Sequence, residues 1–383
     1  MTSIWKNQHL YFEGDEYFAD LLSSINAARH SIWIEVYIFD NDQLGTRIAS
    51  ALIEAARRGI KVHLLIDAVG CLYSKSALAA LFKSSGVLLS VYHPLPFSRQ
   101  LAAAGVNQRA RNFLTESLRH MFRRNHRKIA VVDEEVAWIG GMNFCQSHCR
   151  ELAGTNAWRD TAIRVSGPGI ATILATTSLL WLPILSGSRA QARKVIRSNA
   201  LKPAEPEILL NASSALGRRR KKILLRRVQS AKTQIFVTSA YFIPTRRMRA
   251  ALHSAALRGV DVRILVPTRA DVLFMPWAAH TFYAALLKVG VRVFEYFPRM
   301  LHAKTLIIDD WSTIGTSNFN HRSFHRDLEI DLVITETTQL QTLQQQFDID
   351  LEHAHEITEA SLAHRPFWQR LLGRLALLFK SQL

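Results

Sequence analysis

Cysteine is scarce in this chain of 383 residues: Cys71, Cys145 and Cys149 are the whole complement. An odd, sparse set builds no disulfide framework and suits a reducing compartment. Cys145, His148 and Cys149 are close enough in sequence to suggest a metal. No fourth ligand stands near them, so packed thiols are the expectation. Long uncharged apolar runs are also missing. The nearest approach to a membrane span, residues 170–185, is short and carries Pro183. A buried or interfacial helix is expected there. The first residues, MTSIWKNQHLYFEGDEYF, lack the basic-then-apolar order of a signal peptide. Acidic residues are in deficit: 31 Asp and Glu against 48 Lys and Arg leave a net charge of +17. Such a balance favours an anionic partner, either nucleic acid or an acidic membrane surface, and charge alone does not separate the two. Apolar material is plentiful, at 48% of residues with 8 Trp and 19 Phe. That is enough for a sizeable core in two domains or one large duplicated one, and it argues against disorder.

Two stretches stand out. Residues 126–143 read HRKIAVVDEEVAWIGGMN, with His126, Lys128, Asp133, Gly140, Gly141 and Asn143. Residues 302–318 read HAKTLIIDDWSTIGTSN, with His302, Lys304, Asp309, Gly315, Ser317 and Asn318. In each, His and Lys stand two apart at the head of an apolar run, which on a strand puts both side chains on one face. The Asp comes seven residues after the His, an odd step that points it the other way. His and Lys read as chemistry, and Asp133 and Asp309 as braces behind it. The bare pattern His-x-Lys-x4-Asp is expected by chance in only ~0.03 of chains this long at average composition. Two copies, each followed by Gly and Asn, make chance a poor explanation. The constellation resembles that of the phospholipase D superfamily, whose two such motifs meet in one active site.

The surroundings of the motifs are duplicated too. Residues 31–39, SIWIEVYIF, have the β-branched and aromatic content of a buried strand. A helix is expected over 45–58, closed by Gly59, then a strand over 60–66 that delivers Asp67 and Gly70 to a loop. The unit returns as a strand over 235–242, a helix opened by Pro244 and Thr245 and closed by Gly259, and a strand over 260–266. Residues 51–65 and 251–265 share Ala51/Ala251, Leu52/Leu252, Ala55/Ala255, Arg58/Arg258, Gly59/Gly259 and Leu65/Leu265, among others. This is an internal duplication and not a short-period repeat. The fold class expected is α/β, with two pseudo-twofold-related α/β halves, helix-covered mixed sheets and the active site at their seam. The halves are placed at 1–187 and 207–365, with a C-terminal amphipathic helix over 366–383. The seam, around residues 186–207, is rich in Ser, Ala, Arg and Pro.

Three segments bear on partners. Residues 95–125 mix arginines with Phe and Leu, which suits an interfacial segment better than a phosphate track on nucleic acid. The basic run 217–227, GRRRKKILLRR, fits two uses equally: the solvated face of a helix carrying Ile223, Leu224, Leu225 and Val228 inward, or a lipid-phosphate contact. At 3.6 residues per turn, Phe367, Trp368, Leu371, Leu372, Leu375, Leu378 and Phe379 fall within an arc of about 140°, as in helices lying in a bilayer surface. Arg370, Arg374, Gln369 and Lys380 take the other side, with Leu377 the exception.

Two His and two Lys at a seam suggest one reaction. One neutral imidazole attacks a phosphodiester phosphorus, and the other, protonated, donates to the leaving alkoxide and then activates the acceptor. The Lys and Asn pairs surround the phosphoryl oxygens, so no metal or cofactor is called for. A nucleophilic imidazole needs its other nitrogen held by an acceptor. In the phospholipase D superfamily an acid after each Gly-x-Asn element does this, and Asp160 and Glu329 match those positions. The resemblance also implies His126 as nucleophile and His302 as general acid/base, an order the near-symmetric sequence does not fix. Nearly the whole chain is similar to bacterial cardiolipin synthases of the short form without N-terminal transmembrane helices. The similarity lies in FRRNHRKIAVVDEEVAWIGGMNF, SAYFIPTRRMRAAL and VFEYFPRMLHAKTLIIDDWSTIGTSNFNHRS. It implies phosphatidyl transfer between phospholipids onto phosphatidylglycerol with release of glycerol, at an anionic membrane surface. It further implies peripheral placement on the cytoplasmic face of the bacterial inner membrane, with no nucleic-acid partner. The second motif departs from the family spacing, with five residues between Asp309 and Gly315 against six between Asp133 and Gly140. Asn320 and Asp327 also stand where the family commonly has Asp and Asn. The rival readings are a hydrolytic phospholipase D, a phospholipase D-type nuclease and a non-catalytic membrane-surface protein.

Overall fold

A computed structural model describes residues 3–93, 123–185, 207–272 and 275–377. The basic and apolar insertion at 95–125, apart from its last three residues, lies outside the described residues. So does the seam at 186–207, apart from Glu207.

Each half is built on one mixed sheet. The first runs Asn7–Tyr11, Ala162–Ser166, Val136–Gly140, Ile129–Val132, Ser31–Val36, Lys61–Asp67 and Leu88–Tyr92. The second runs Ala354–Ile357, Arg292–Tyr296, Asp261–Pro267, Gln234–Ser239, Lys304–Ile308, Trp311–Gly315, Ile330–Ile334 and Ile208–Leu210. In both, three strands joined through helices pair in parallel, and the motif hairpin pairs antiparallel against the first of them, Ser31–Val36 or Gln234–Ser239. The connecting helices repeat the same devices. Asp42 accepts from the Gly45 N–H at the head of Gln43–Arg57, and Thr245 accepts from the Met248 N–H at the head of Arg246–Leu257. Gly59 and Gly259 close the two helices, both at φ 87°, a backbone conformation that glycine adopts without strain.

Strand alternation sorts the core into three layers. Ala130, Val132 and Trp138 face the helices of the first half, and Leu306, Ile308 and Trp311 face those of the second. Ile129, Val131, Ala137 and Ile139 point the other way and meet Ile307, Ile314, Ile330 and Leu332 in a central core between the sheets. The two sheets therefore pack face to face with helices outside. The helix Ile170–Leu185 contributes Ile170 and Ile173 to that central layer and buries Trp181. Among the described residues no helix is long and apolar enough to cross a membrane.

The shortened second motif costs no register. Val132 pairs with Val136 across a three-residue turn, whereas Ile308 pairs with Trp311 across a two-residue turn. Ile129↔Ile139 and Thr305↔Ile314 are still equivalent pairs, so the missing residue is absorbed in the turn.

The basic run lies in the helix Ser214–Ser230, which buries Leu224 and Val228 and leaves Ile223 and Leu225 partly buried. Its Arg220 is buried in an ion pair with Asp331. The helix Phe367–Ala376 docks on Met275–Leu287 of the second half. Gly373 is the contact: a Cβ there would lie 2.2 Å from the Trp277 carbonyl oxygen. Ala376 and Leu377 pack inward. Phe367, Trp368, Leu371, Leu372 and Leu375 remain outward, 42–72% exposed.

Candidate active site

Each motif His stands just before a strand that the hairpin holds against the sheet centre. Each Lys reaches back along the same face to the carbonyl of its His: Lys128 Nζ lies 2.9 Å from the His126 oxygen, and Lys304 Nζ donates likewise to His302. Asp133 and Asp309 sit at the far end, in the hairpin turns, at φ 54° and 51°. Asp133 accepts from the backbone N–H groups of Arg29, His30 and Ser31, and Asp309 from those of Lys232, Thr233 and Gln234. Neither touches the histidines. They tie each motif hairpin to the start of a neighbouring strand, Ser31–Val36 in one half and Gln234–Ser239 in the other, which is a brace's position.

The halves meet by crossed contacts. The His126 N–H donates to the Leu328 carbonyl and the Leu328 N–H to the Arg124 carbonyl. By the same pattern the Arg159 N–H donates to Met300 and the His302 N–H to Arg159. These two short parallel bridges put Glu329 beside His126 and Asp160 beside His302. His126 Nδ1 lies 3.2 Å from both Glu329 carboxylate oxygens, and His302 Nδ1 lies 2.6 Å from Asp160 Oδ2. Each imidazole is therefore held by the carboxylate of the other half. That arrangement fixes Nδ1 as the donor and leaves Nε2 of each ring for chemistry.

Both rings open into one cavity of about 240 Å³, lined also by Asn143, Asn318, Tyr37, Tyr241, Asp271 and Arg322. The Asn143 side-chain oxygen accepts from the Ile38 N–H. Gly141 leaves room for the acid behind His302, since a Cβ there would lie 2.1 Å from Asp160 Oδ1. The equivalent Thr316 instead donates its hydroxyl to Glu329, 2.5 Å away, as does Ser323 at 2.6 Å.

Burial dominates the electrostatics. Burial, then the Lys128 charge, holds His126 well below the usual imidazole range, and burial and Lys304 do the same for His302. Burial brings Lys128 down to about 7, helped by Lys304, and Lys304 down to about 8. Burial raises Glu329 to about 7 against the pull of Lys128. An entering phosphodiester anion favours the protonated form of every basic group around it.

The cysteines are packed thiols, as expected. All three are buried and free, and burial pushes each up to about 12. Cys145 and Cys149 do not converge with His148 on a metal site. Among the described residues the one cluster of metal-type donors is His148, Asp160 and His302. Lys304 Nζ lies 2.8 Å from His302 Nδ1, and a cation there disfavours a second one. The placement of His148 in this group was missed from sequence. Its signal was its distance from Asn143, five residues, equal to that of Ser323 from Asn318.

Known proteins share this sequence pattern and fold. The family described as cardiolipin synthase, phospholipase D-like domain, matches residues 21–172 and 224–351. A cardiolipin synthase of Alkalihalophilus pseudofirmus is 31% identical over 94% of this chain and 69% of its own length. Cardiolipin synthase B of Salmonella typhi is 31% identical over 96% of this chain and 86% of its own. The fold is shared with the crystal structure of phosphatidylserine synthase from Haemophilus influenzae, at a TM-score of 0.70 and 14% identity over 98% and 95% of the two chains. With two motif histidines in one cavity and these relatives along nearly its whole length, the chain belongs to the cardiolipin synthase family of phospholipase D-like phosphatidyltransferases.

Proposed function

We propose that this protein is a cardiolipin synthase that moves a phosphatidyl group onto phosphatidylglycerol through a phosphohistidine. The observation that carries the reading is the crossed pair of imidazole–carboxylate contacts opening on one cavity. His126 Nε2 attacks phosphorus, the bond to the leaving glycerol oxygen breaks, and His302 gives that oxygen its proton. In the second step His302 takes the proton of the acceptor hydroxyl. The new oxygen–phosphorus bond then forms as the His126–phosphorus bond breaks. Lys128, Lys304, Asn143 and Asn318 face the charge that builds on the phosphoryl oxygens. Glu329 and Asp160 hold the two rings, and Asp133 and Asp309 brace the hairpins.

A cavity of about 240 Å³ suits a phosphoglycerol headgroup and is too small for acyl chains. The lipid tails then stay in the bilayer, which supports peripheral action at an anionic membrane surface, on its cytoplasmic face. The outward apolar face of Phe367–Ala376 fits that surface. It docks on Trp277, two residues from the cavity-lining Met275, so the cavity mouth and the apolar face share one helix turn. We read 1–187 and 207–365 as the two halves and 366–383 as the membrane-surface helix.

The test is to incubate purified protein with phosphatidylglycerol vesicles and identify products by mass spectrometry. Cardiolipin plus glycerol is expected, with EDTA leaving turnover intact. Phosphatidic acid alone would make the protein a hydrolase, and DNA cleavage without lipid turnover would overturn the reading.

A further inference from the structure

The halves differ behind their histidines. In the second, Ser323 joins two groups: its hydroxyl oxygen accepts from the Asn318 N–H and its hydrogen goes to Glu329. In the first, His148 occupies the equivalent place, fully buried. Its Nε2 accepts from the Asn143 N–H at 3.1 Å, which leaves the proton on Nδ1. That Nδ1 has no hydrogen-bond partner and lies 3.7 Å from Asp160 Oδ2, the oxygen that holds His302. A buried donor left without a partner is costly, so an orphan beside a carboxylate asks for a role. The ring is locked in place. A Cβ on Gly14 would lie 2.1 Å from the His148 carbonyl oxygen, and the Trp158 ring stands 5.1 Å from both His148 and His302.

We infer that His148 is a positioning residue for the His302 half, steadying Asp160 from behind through its Nδ1–H while its Nε2 anchors the Asn143 loop. The inference rests on the reading of His302 as the group that protonates the leaving alkoxide. With Asp160 backed on one side, its Oδ2 stays aimed at His302 Nδ1, and His302 presents Nε2 to the leaving oxygen. The charged and titratable groups that act on His148 are Asp160, His302, Lys304 and Lys128. Burial depresses its own proton affinity to about 3, so the ring stays neutral and acts as a fixed donor. Ser323 serves the Asn318 N–H and Glu329 with one hydroxyl, so His148→Ser is the conservative replacement.

The experiment compares two donors in the full chain: phosphatidylglycerol, whose leaving alkoxide needs a proton, and phosphatidyl-p-nitrophenol, whose leaving group does not. The first-step rate is read for wild type and for His148→Ala, His148→Ser and His302→Ala, each checked by thermal melt. His148→Ala is expected to lose ~10–100-fold on phosphatidylglycerol, as other supporting-shell changes do, with KM little changed and a far smaller loss on the nitrophenyl ester. His148→Ser should recover part of the loss. If His302→Ala shows the same selectivity but both His148 variants slow the two donors equally, His148 is only a packing residue and the inference is overturned. If His302→Ala itself slows both donors equally, the acid assignment fails and the role of His148 fails with it.

Discussion

Lys128 and Lys304 sit where burial makes their charge conditional, brought down to about 7 and about 8. A lysine in this state is protonated below its value and neutral above it. Its contribution to phosphoryl charge stabilisation is therefore lost as pH rises through about 7 to about 8. Glu329, raised to about 7, works in the opposite sense, gaining acceptor strength toward His126 as pH rises. The profile of kcat/KM against pH, which reports the free enzyme, is expected to be a narrow bell with its alkaline limb in that window. An alkaline limb only in the ordinary lysine range would contradict the burial argument. The two carboxylates give a second check. Glu329→Gln and Asp160→Asn are each expected to lower kcat by ~10–100-fold, as removal of an imidazole's orienting acid does elsewhere. Wild-type kcat in either would remove the crossed pairs from the mechanism.

At the scale of elements, the motif hairpins were legible because their chemistry is local. The two-residue spacing of His and Lys, and the odd step to Asp, follow from strand alternation alone. The helix closed by Gly59 was expected over 45–58 and is found over Gln43–Arg57. The strand expected over 31–39 stops at Val36, because Phe39 leaves the sheet edge to bridge Phe144 beside the site. The helix Phe367–Ala376 shows what periodicity can and cannot say. Its apolar arc was evident, but a helix docked by that arc would have the same sequence. The side it docks by is marked by Gly373 and by Ala376 and Leu377, which lie off the arc. Leu371→Glu combined with Leu375→Glu should therefore leave the melting temperature near wild type and weaken binding to phosphatidylglycerol vesicles by tenfold or more, read by sedimentation, given ~0.8 kcal/mol per buried CH₂. Unchanged vesicle binding would place the membrane contact elsewhere.

At the scale of the whole molecule, the duplication was legible in the shared 51–65 and 251–265 segments, but the way the halves join was not. Sequence places one acid after each motif and does not say which histidine it holds. Only the fold shows Glu329 crossing to His126 and Asp160 to His302, because the crossing depends on the backbone bridges Asn125↔Leu328 and Arg159↔Leu301 between segments distant in sequence. The same applies to His148, which sequence sets between two cysteines and the fold sets behind Asp160. Neither half holds a complete site, since each supplies one imidazole and the carboxylate for the other's. The face-to-face sheets, with Ile129 and Val131 against Ile307 and Ile314, keep that exchange rigid.

Trapping the covalent intermediate tests this shared site most directly. His302→Ala, loaded with phosphatidyl-p-nitrophenol, can complete the first step but lacks the base for the second, so the adduct should accumulate. Quenching, digestion and mass spectrometry are predicted to find one phosphatidyl group, on the peptide that carries His126. An adduct on any other residue, or undiminished turnover by His126→Ala, would contradict the account.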